Sequence, residues 1–364
     1  MKITEIRLAT ITAPLRVPFK TALRTVENVS DIIVEVHTDD GRVGYGEAPP
    51  TGVITGDTKQ GIIGALTDHI IPVMLGKDVE LLEDRFMELD ASCVHNTSAK
   101  AAMDMALFDL YGQRYALPVY KLMGGARKQI ETDITISVNP PEEMARDTLN
   151  AISRGYDCLK IKVGKDAEVD IERLKAVRSA AGKDAKIRID ANQGWTPREA
   201  VRTLEKMQAA GLDIELVEQP VKAHDIDGLR FVTQNSPVPV MADESVFSPA
   251  DALEILRTNA ADLINIKLMK CGGIHNALRI VSACEIYGVE CMIGCMLEAK
   301  ISVNAAVHLA CAKKQITRVD LDGPVLLRED PIYGGAVFNE KLITVSDKPG
   351  LGIEGFEEGR LVYL

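Results

Sequence analysis

The chain has no apolar run of membrane-spanning length and no surplus of positive charge, and each absence excludes a class of function. Without roughly 20 consecutive apolar residues there is no candidate transmembrane helix. A net charge of −11 comes without the clustered Lys and Arg that nucleic acid or an anionic membrane demands, so neither is expected as a partner. C-x-x-C pairs are also missing: the seven cysteines are odd in number and scattered, and Cys158, Cys284 and Cys291 fall in apolar segments. They are expected to be reduced thiols of a cytoplasmic protein. Glu5 and Arg7 interrupt the first apolar residues, so no signal peptide is expected. No dinucleotide-binding or phosphate-loop glycine pattern occurs, and no repeat or low-complexity tract.

What remains is an ordinary globular composition, 46% hydrophobic and 26% charged over 364 residues, enough for about two domains. Residues 1–125 read as an α+β unit, with strand alternation over 3–14, 31–37 and 43–47 and helical periodicity over 59–75, 80–91 and 97–116. Two polar loops interrupt it, 19–24 between the first two strands and 51–56 after Pro49-Pro50; such loops often carry binding residues. Over 126–322 strand and helix patterns alternate, with helix starts at Thr196-Pro197 and Ser248-Pro249. That rhythm predicts a parallel barrel. Residues 323–364 are rich in Gly and Pro and are expected to return to the first unit.

One predicted strand is unusual. In L-K-I-K-V-G, residues 159–164, Lys160 and Lys162 point the same way, and like charges so close each disfavour the other's protonation. A lone K-x-K is ordinarily the solvent face of an edge strand. Here four more strand patterns follow, ending at Asp190, Glu218, Asp243 and Lys267, at steps of 28, 28, 25 and 24 residues from Lys162. An eight-fold barrel of about 250 residues needs roughly 30 per strand and helix, so these charges should ring one mouth.

Taken singly, each acid reads as a solvated strand end or a helix cap. Three carboxylates from successive strands, however, repel unless a cation joins them, and an all-oxygen set suits Mg²⁺. Lys160 and Lys162 precede the acids around the ring and Lys267 follows them, so bases should face each other across the metal. Such a pair can remove a proton from one face of a carbon and return it on the other. Lys160 is expected to lower the pKa of Lys162. Further on, Asp320 and Asp322 share one face of the last strand and suit a free α-ammonium, or else form a second solvated strand end.

K-I-K, D-A-N-Q-G-W (190–195), V-E-Q-P (217–220), A-D-E-S (242–245), N-I-K (265–267) and G-C-M-L-E (294–298), in this order, resemble the enolase superfamily, muconate-lactonizing subgroup, over essentially the whole chain. Lysine bases with Mg²⁺ are that superfamily's known arrangement. The fold implied is α/β, a modified (β/α)7β TIM-type barrel (126–322) with an α+β capping domain built from 1–125 and the 323–364 tail. The R-V-D-L-D-G-P stretch resembles the dipeptide epimerases, the Ala-Glu branch most closely.

The resemblance implies catalytic Lys162 and Lys267 with Lys160 beside them, and one Mg²⁺ per subunit on Asp190, Glu218 and Asp243, flanked by Asn192 and Glu244. Asp320 and Asp322 would hold the dipeptide ammonium and Arg24 the glutamate carboxylate. Thr135, Lys160, Cys295 and Leu297 would line the pocket, under a loop at 53–57. Cys295 departs from the small hydroxyl residue expected there. The implied reaction is 1,1-proton transfer at the glutamate α-carbon through an enediolate, in cell-wall peptide turnover, by a homo-oligomer acting on a small dipeptide.

Three rivals stay open. An epimerase of hydrophobic or cationic dipeptides would keep its activity in Arg24→Ala. A cycloisomerase, o-succinylbenzoate synthase or N-acylamino acid racemase would tolerate Asp320→Asn and Asp322→Asn. A silent homologue acting as a binding protein would support no α-proton exchange.

Overall fold

In the computed structural model, which describes residues 1–20, 25–164 and 166–364, the first strand runs Ile3–Lys20 and pairs antiparallel with Thr25–Thr38. Both strands extend past the expected ends at 14 and 31, so Phe19 and Lys20 belong to the strand and not to its loop. Burial fades there, with Val17 68% exposed, and the register shifts between Pro14 and Phe19. Main-chain pairing, rather than a buried face, holds this arm. At Lys20 it meets the barrel: Val138 N–H donates to Lys20 O at 3.2 Å, and Lys20 N–H to Ser137 Oγ at 3.3 Å.

Val43–Ala48 completes the hairpin order, and the tail strand Val362–Tyr363 pairs with the far edge of the first strand. Helix Thr97–Arg114 lies against this sheet at backbone contact. A Cβ on Gly46 would stand 1.8 Å from Ala102 O, and one on Gly44 2.3 Å from Ala106 O. No larger residue fits at either position. The helical stretch expected at 59–75 is broken by a π turn, Ala65–Ile70. Pro72 has no N–H to give, and Ile71 N–H reaches back five residues to Leu66 O.

Eight parallel strands form the second body: Ile134–Ile136, Cys158–Lys162, Lys186–Asp190, Ile214–Glu218, Val240–Ala242, Leu263–Ile266, Glu290–Gly294 and Ile316–Asp320, numbered one to eight here. Each pairs with the next. The barrel is nearly closed, the gap between strands eight and one being bridged by Asp133 N–H to Val319 O at 3.2 Å and Leu321 N–H to Thr132 Oγ1 at 2.8 Å. Thr196 and Ser248 cap the helices that follow strands three and five, as their sequences predict.

The outward residues of strands two and three, Leu159, Ile161, Ile187 and Ile189, are buried under the helices. Inside the barrel, Leu216, Met241, Leu263 and Met292 of strands four to seven make a small apolar cluster of their own. It separates charged layers at the two ends. Among the described residues no helix is long and apolar enough to cross a membrane.

Candidate active site at the barrel mouth

Parallel register puts Lys162 beside Asp190 and Asp190 beside Glu218. Asp243 follows strand five, Lys267 follows strand six, and Asp320 ends strand eight. In an eight-strand ring, strands two and six are opposite, as are four and eight. Lys162 therefore faces Lys267 across one diameter, and Glu218 faces Asp320 across the other. Lys160 Nζ spans the second diameter, 2.7 Å from Glu218 Oε2, 2.7 Å from Asp320 Oδ2 and 3.3 Å from Asp190 Oδ2.

One cavity opens here, lined by Lys160, Lys162, Lys267, Asn192, Asp320 and Asp322. Thr135, Cys295 and Leu297 form its wall, and Phe19 of the arm with Val53 and Ile54 of the cap loop form its rim. Nine sequence-predicted residues thus share one cavity, with the lysines' partners Asp190, Glu218 and Asp243 beside it. Arg24 lies outside the described residues.

Lys162 Nζ is 2.6 Å from Asp190 Oδ2, and Lys267 Nζ is 2.7 Å from Asp243 Oδ2. Burial alone would push Asp243 upward, but Lys267 and Lys270 hold it well below the usual carboxylate range. For Lys160, burial favours the neutral amine, and Asp320, Glu218 and Asp190 outweigh it, so its pKa stands well above normal. Its charge is compensated on three sides. Both ammoniums, Lys160 and Lys162, approach Asp190 Oδ2.

Three further acids are raised by burial and by neighbouring carboxylates. Burial, with Asp190 and Asp243 nearby, pushes Glu218 up to about 8, and burial with Asp243 and Asp190 pushes Glu244 up to about 7. Glu244 Oε2 is buried without a partner, while its other oxygen accepts from Asn192 Nδ2 at 3.4 Å. Burial and Asp320 bring Asp322 to about 6, although Thr135 N–H donates to it at 2.8 Å. Cys295 is raised well above the usual thiol range by burial and by Glu298, which excludes a ready thiolate.

Among the described residues no three acidic, His or Cys side chains stand grouped as a ready metal cage. Each of the three carboxylates is in contact with a lysine ammonium, Asp190 with Lys162, Asp243 with Lys267 and Glu218 with Lys160. The donor set itself fits a hard cation. Asp190, Glu218 and Asp243 are all buried oxygen ligands on successive strand ends, with net negative charge in their surroundings.

Sequence reading missed the groups that hold these ends in place. Gln219, in a left-handed conformation at φ 36°, accepts from Asp243 N–H at 2.9 Å and Ser245 N–H at 3.1 Å. Asn265 Nδ2 donates to Glu218 Oε1 at 2.9 Å. From the cap, Asp31 and Glu47 accept from Ala299 N–H at 3.0 and 2.6 Å, fixing the end of the loop that carries Cys295 and Leu297. The signal for Gln219 was present in V-E-Q-P, where Glu218 drew the attention. The cap anchors had none, because their partners lie over 250 residues away.

Residues 3–124 match the mandelate racemase / muconate lactonizing enzyme N-terminal domain, and residues 143–358 match the enolase C-terminal domain-like family. The L-Ala-D/L-Glu epimerase of Clostridium acetobutylicum is 56% identical, over 98% of this chain and 99% of its own. A substrate-liganded complex of the L-Ala-D/L-Glu epimerase from Bacillus subtilis superposes with a TM-score of 0.96 at 49% identity, covering 98% of this chain and 99% of that one. The dipeptide epimerase from Enterococcus faecalis V583, complexed with Mg and the dipeptide L-Leu-L-Tyr, gives 0.94 at 44% identity, covering 97% and 100%.

Proposed function

The chain belongs to the mandelate racemase / muconate lactonizing enzyme family of the enolase superfamily, and from that membership we propose an L-Ala-D/L-Glu dipeptide epimerase dependent on Mg²⁺. It is an isomerase, as the similar enzymes named above are epimerases. The observation that carries the proposal is the pair of diameters: lysine against lysine, and metal-type carboxylate against the Asp320–Asp322 pair.

A dipeptide laid along the acid diameter puts its ammonium at Asp320 and Asp322 and its carboxylate toward Asp190, Glu218 and Asp243. Its second α-carbon then lies between Lys162 and Lys267. One lysine, as the amine, takes the α-proton; the other, as the ammonium, gives one back on the opposite face. Mg²⁺ held by the three carboxylates would supply positive charge for the negative charge that develops on the substrate carboxylate. Lys160 adds a fixed cation on the same side, and the rim residues Phe19, Val53 and Ile54 keep water away from the exchanging proton. Turnover of cell-wall peptides follows as the setting for such a substrate.

A second reading is favoured by one observation. Beyond the lysines, the described cavity wall is largely apolar, with Phe19, Val53, Ile54, Met296, Leu297 and Leu326, which suits a hydrophobic second residue. Proton NMR in D₂O with Mg²⁺ separates the two, using L-Ala-D-Glu, L-Ala-L-Glu, L-Ala-L-Leu, L-Ala-L-Lys and N-succinyl-phenylalanine. Exchange and epimerisation of the Ala-Glu pair support the first reading. Exchange confined to L-Ala-L-Leu supports the second, and exchange confined to the N-succinyl compound overturns both.

A further inference from the structure

Asp243 is held at both oxygens by two lysines three residues apart. Lys267 Nζ lies 2.7 Å from Oδ2, and Lys270 Nζ lies 2.6 Å from Oδ1. The two differ in surroundings: Lys267 lines the cavity, whereas Lys270 is fully buried and does not. Lys270 Nζ also donates to Asp243 O and, at 3.0 Å, to Asn265 O. The ammonium thus hydrogen-bonds two backbone carbonyls and forms an ion pair, not a hydrogen bond, with Asp243 Oδ1. Two of these oxygens belong to one residue after strand five and the third to strand six, so a single side chain ties the two strand ends together.

The backbone under Lys270 is fixed as well. Its short helix, Leu268–Cys271, ends at Gly272 in a left-handed turn, φ 84°. The next helix is seized by the cap, where Asp104 accepts from Ile274 N–H at 2.5 Å and His275 N–H at 3.2 Å. A Cβ on Gly273 would fall 2.3 Å from the Asp104 carboxyl carbon. Phe247 covers another side of the ammonium, its ring centroid 5.9 Å away. Burying a lysine so completely is costly unless its charge is paired, and here the Asp243 carboxylate pairs it.

We propose that Lys270 is a positioning residue for Asp243: it engages Oδ1 on the dry side of the strand and leaves Oδ2 presented to the cavity, for Lys267 and the cation that the carboxylates would hold. The inference rests on the reading of Asp243 as a metal ligand. Partners that orient a metal-binding side chain commonly matter 10–100-fold for affinity, an order-of-magnitude guide.

The test is calorimetric titration of the full chain with Mg²⁺ alone, together with thermal melting, for wild type, Lys270→Met, Lys270→Arg, Lys270→Gln and Asp243→Asn. The expected result is a Mg²⁺ Kd raised about 10–100-fold in Lys270→Met and raised less in Lys270→Arg, which keeps charge and donors. A purely structural lysine would lower the melting temperature of Lys270→Met and leave its Kd unchanged, and that overturns the inference. Tighter binding in Lys270→Met overturns it too, since Lys270 would then act only as a competing charge. If Lys270→Met does not fold, Lys270→Gln is read by the same criteria. Wild-type affinity in Asp243→Asn overturns the ligand reading and the inference with it. Lost affinity there, beside wild-type affinity in Lys270→Met, overturns the inference alone.

Discussion

The two ends of this barrel both bury charge, and they do it with different cations. At the floor, Arg188 reaches Asp133 at 2.8 Å and Glu215 at 2.8 Å, and Arg318 reaches Glu215 at 3.1 Å and Glu290 at 2.5 Å. At the mouth, every described cation within reach of the acids is a lysine. Arginine holds its proton at any working pH and grips carboxylates through a rigid fork, whereas lysine can release its proton when its surroundings change. Permanent charge sits where the barrel must stay shut, and exchangeable charge where a proton has to move. Asp133 marks the border, its carboxyl pushed well up by burial and by Asp320 in spite of Arg188.

Exchanging the two cations should break this division. Lys162→Arg or Lys267→Arg keeps the charge and removes the mobile proton, so epimerisation should fall about 10²–10⁴-fold with little change in melting. Arg188→Met is the reverse case: it strands Asp133, leaves Glu215 to Arg318 alone, and should cost about 3–5 kcal/mol by urea unfolding, with turnover per folded molecule nearly intact. Asp320→Asn and Asp322→Asn should each lower kcat/KM for a free dipeptide about 100-fold, through the loss of a buried charge partner for the ammonium. The same changes should spare an N-acylated substrate.

Acid should sharpen the contrast. Asp322, raised to about 6, must be ionised to meet an ammonium, so kcat/KM should fall as pH drops through about 6. Glu215 behaves oppositely. Burial pushes its pKa up, but Arg188 and Arg318 outweigh it and hold it below its ordinary 4.5. A carboxylate depressed in the fold contributes stability above the unfolded value and loses it as pH falls through the lower folded one. Between about 6 and 4.5 the protein should therefore stay folded while kcat/KM falls about tenfold per pH unit, which a pH profile of kcat/KM beside urea midpoints will read. The smallest effect belongs to Arg188→Lys, which keeps the charge, loses the fork and should cost about 1–2 kcal/mol, with no change in rate.

The mouth was legible because each candidate residue ends or directly follows its strand, so Lys162, Asp190, Glu218, Asp243 and Lys267 stand out by type and spacing. The floor was not. Arg188 reads as one polar residue inside an apolar strand, and its partners Asp133 and Glu215 lie 55 and 27 residues away. Lys270 was hidden for a different reason: it sits three residues beyond a more conspicuous lysine, in a helix too short to show periodicity. Phe19 and Lys20 of the hairpin arm read as loop in the sequence because main-chain pairing leaves no burial pattern in the side chains. Alternation and spacing report what faces a core or a cavity; ties between distant backbones leave no local mark.

The account stands on lysine protons at opposite sides of the mouth, and α-proton exchange in D₂O tests it most directly. Lys162→Arg and Lys267→Arg are each incubated with L-Ala-D-Glu and, separately, with L-Ala-L-Glu, and the glutamate α-proton is followed by NMR. The prediction is that neither variant interconverts the two diastereomers, and that each retains exchange in a different one. Interconversion at the wild-type rate in either variant would contradict it.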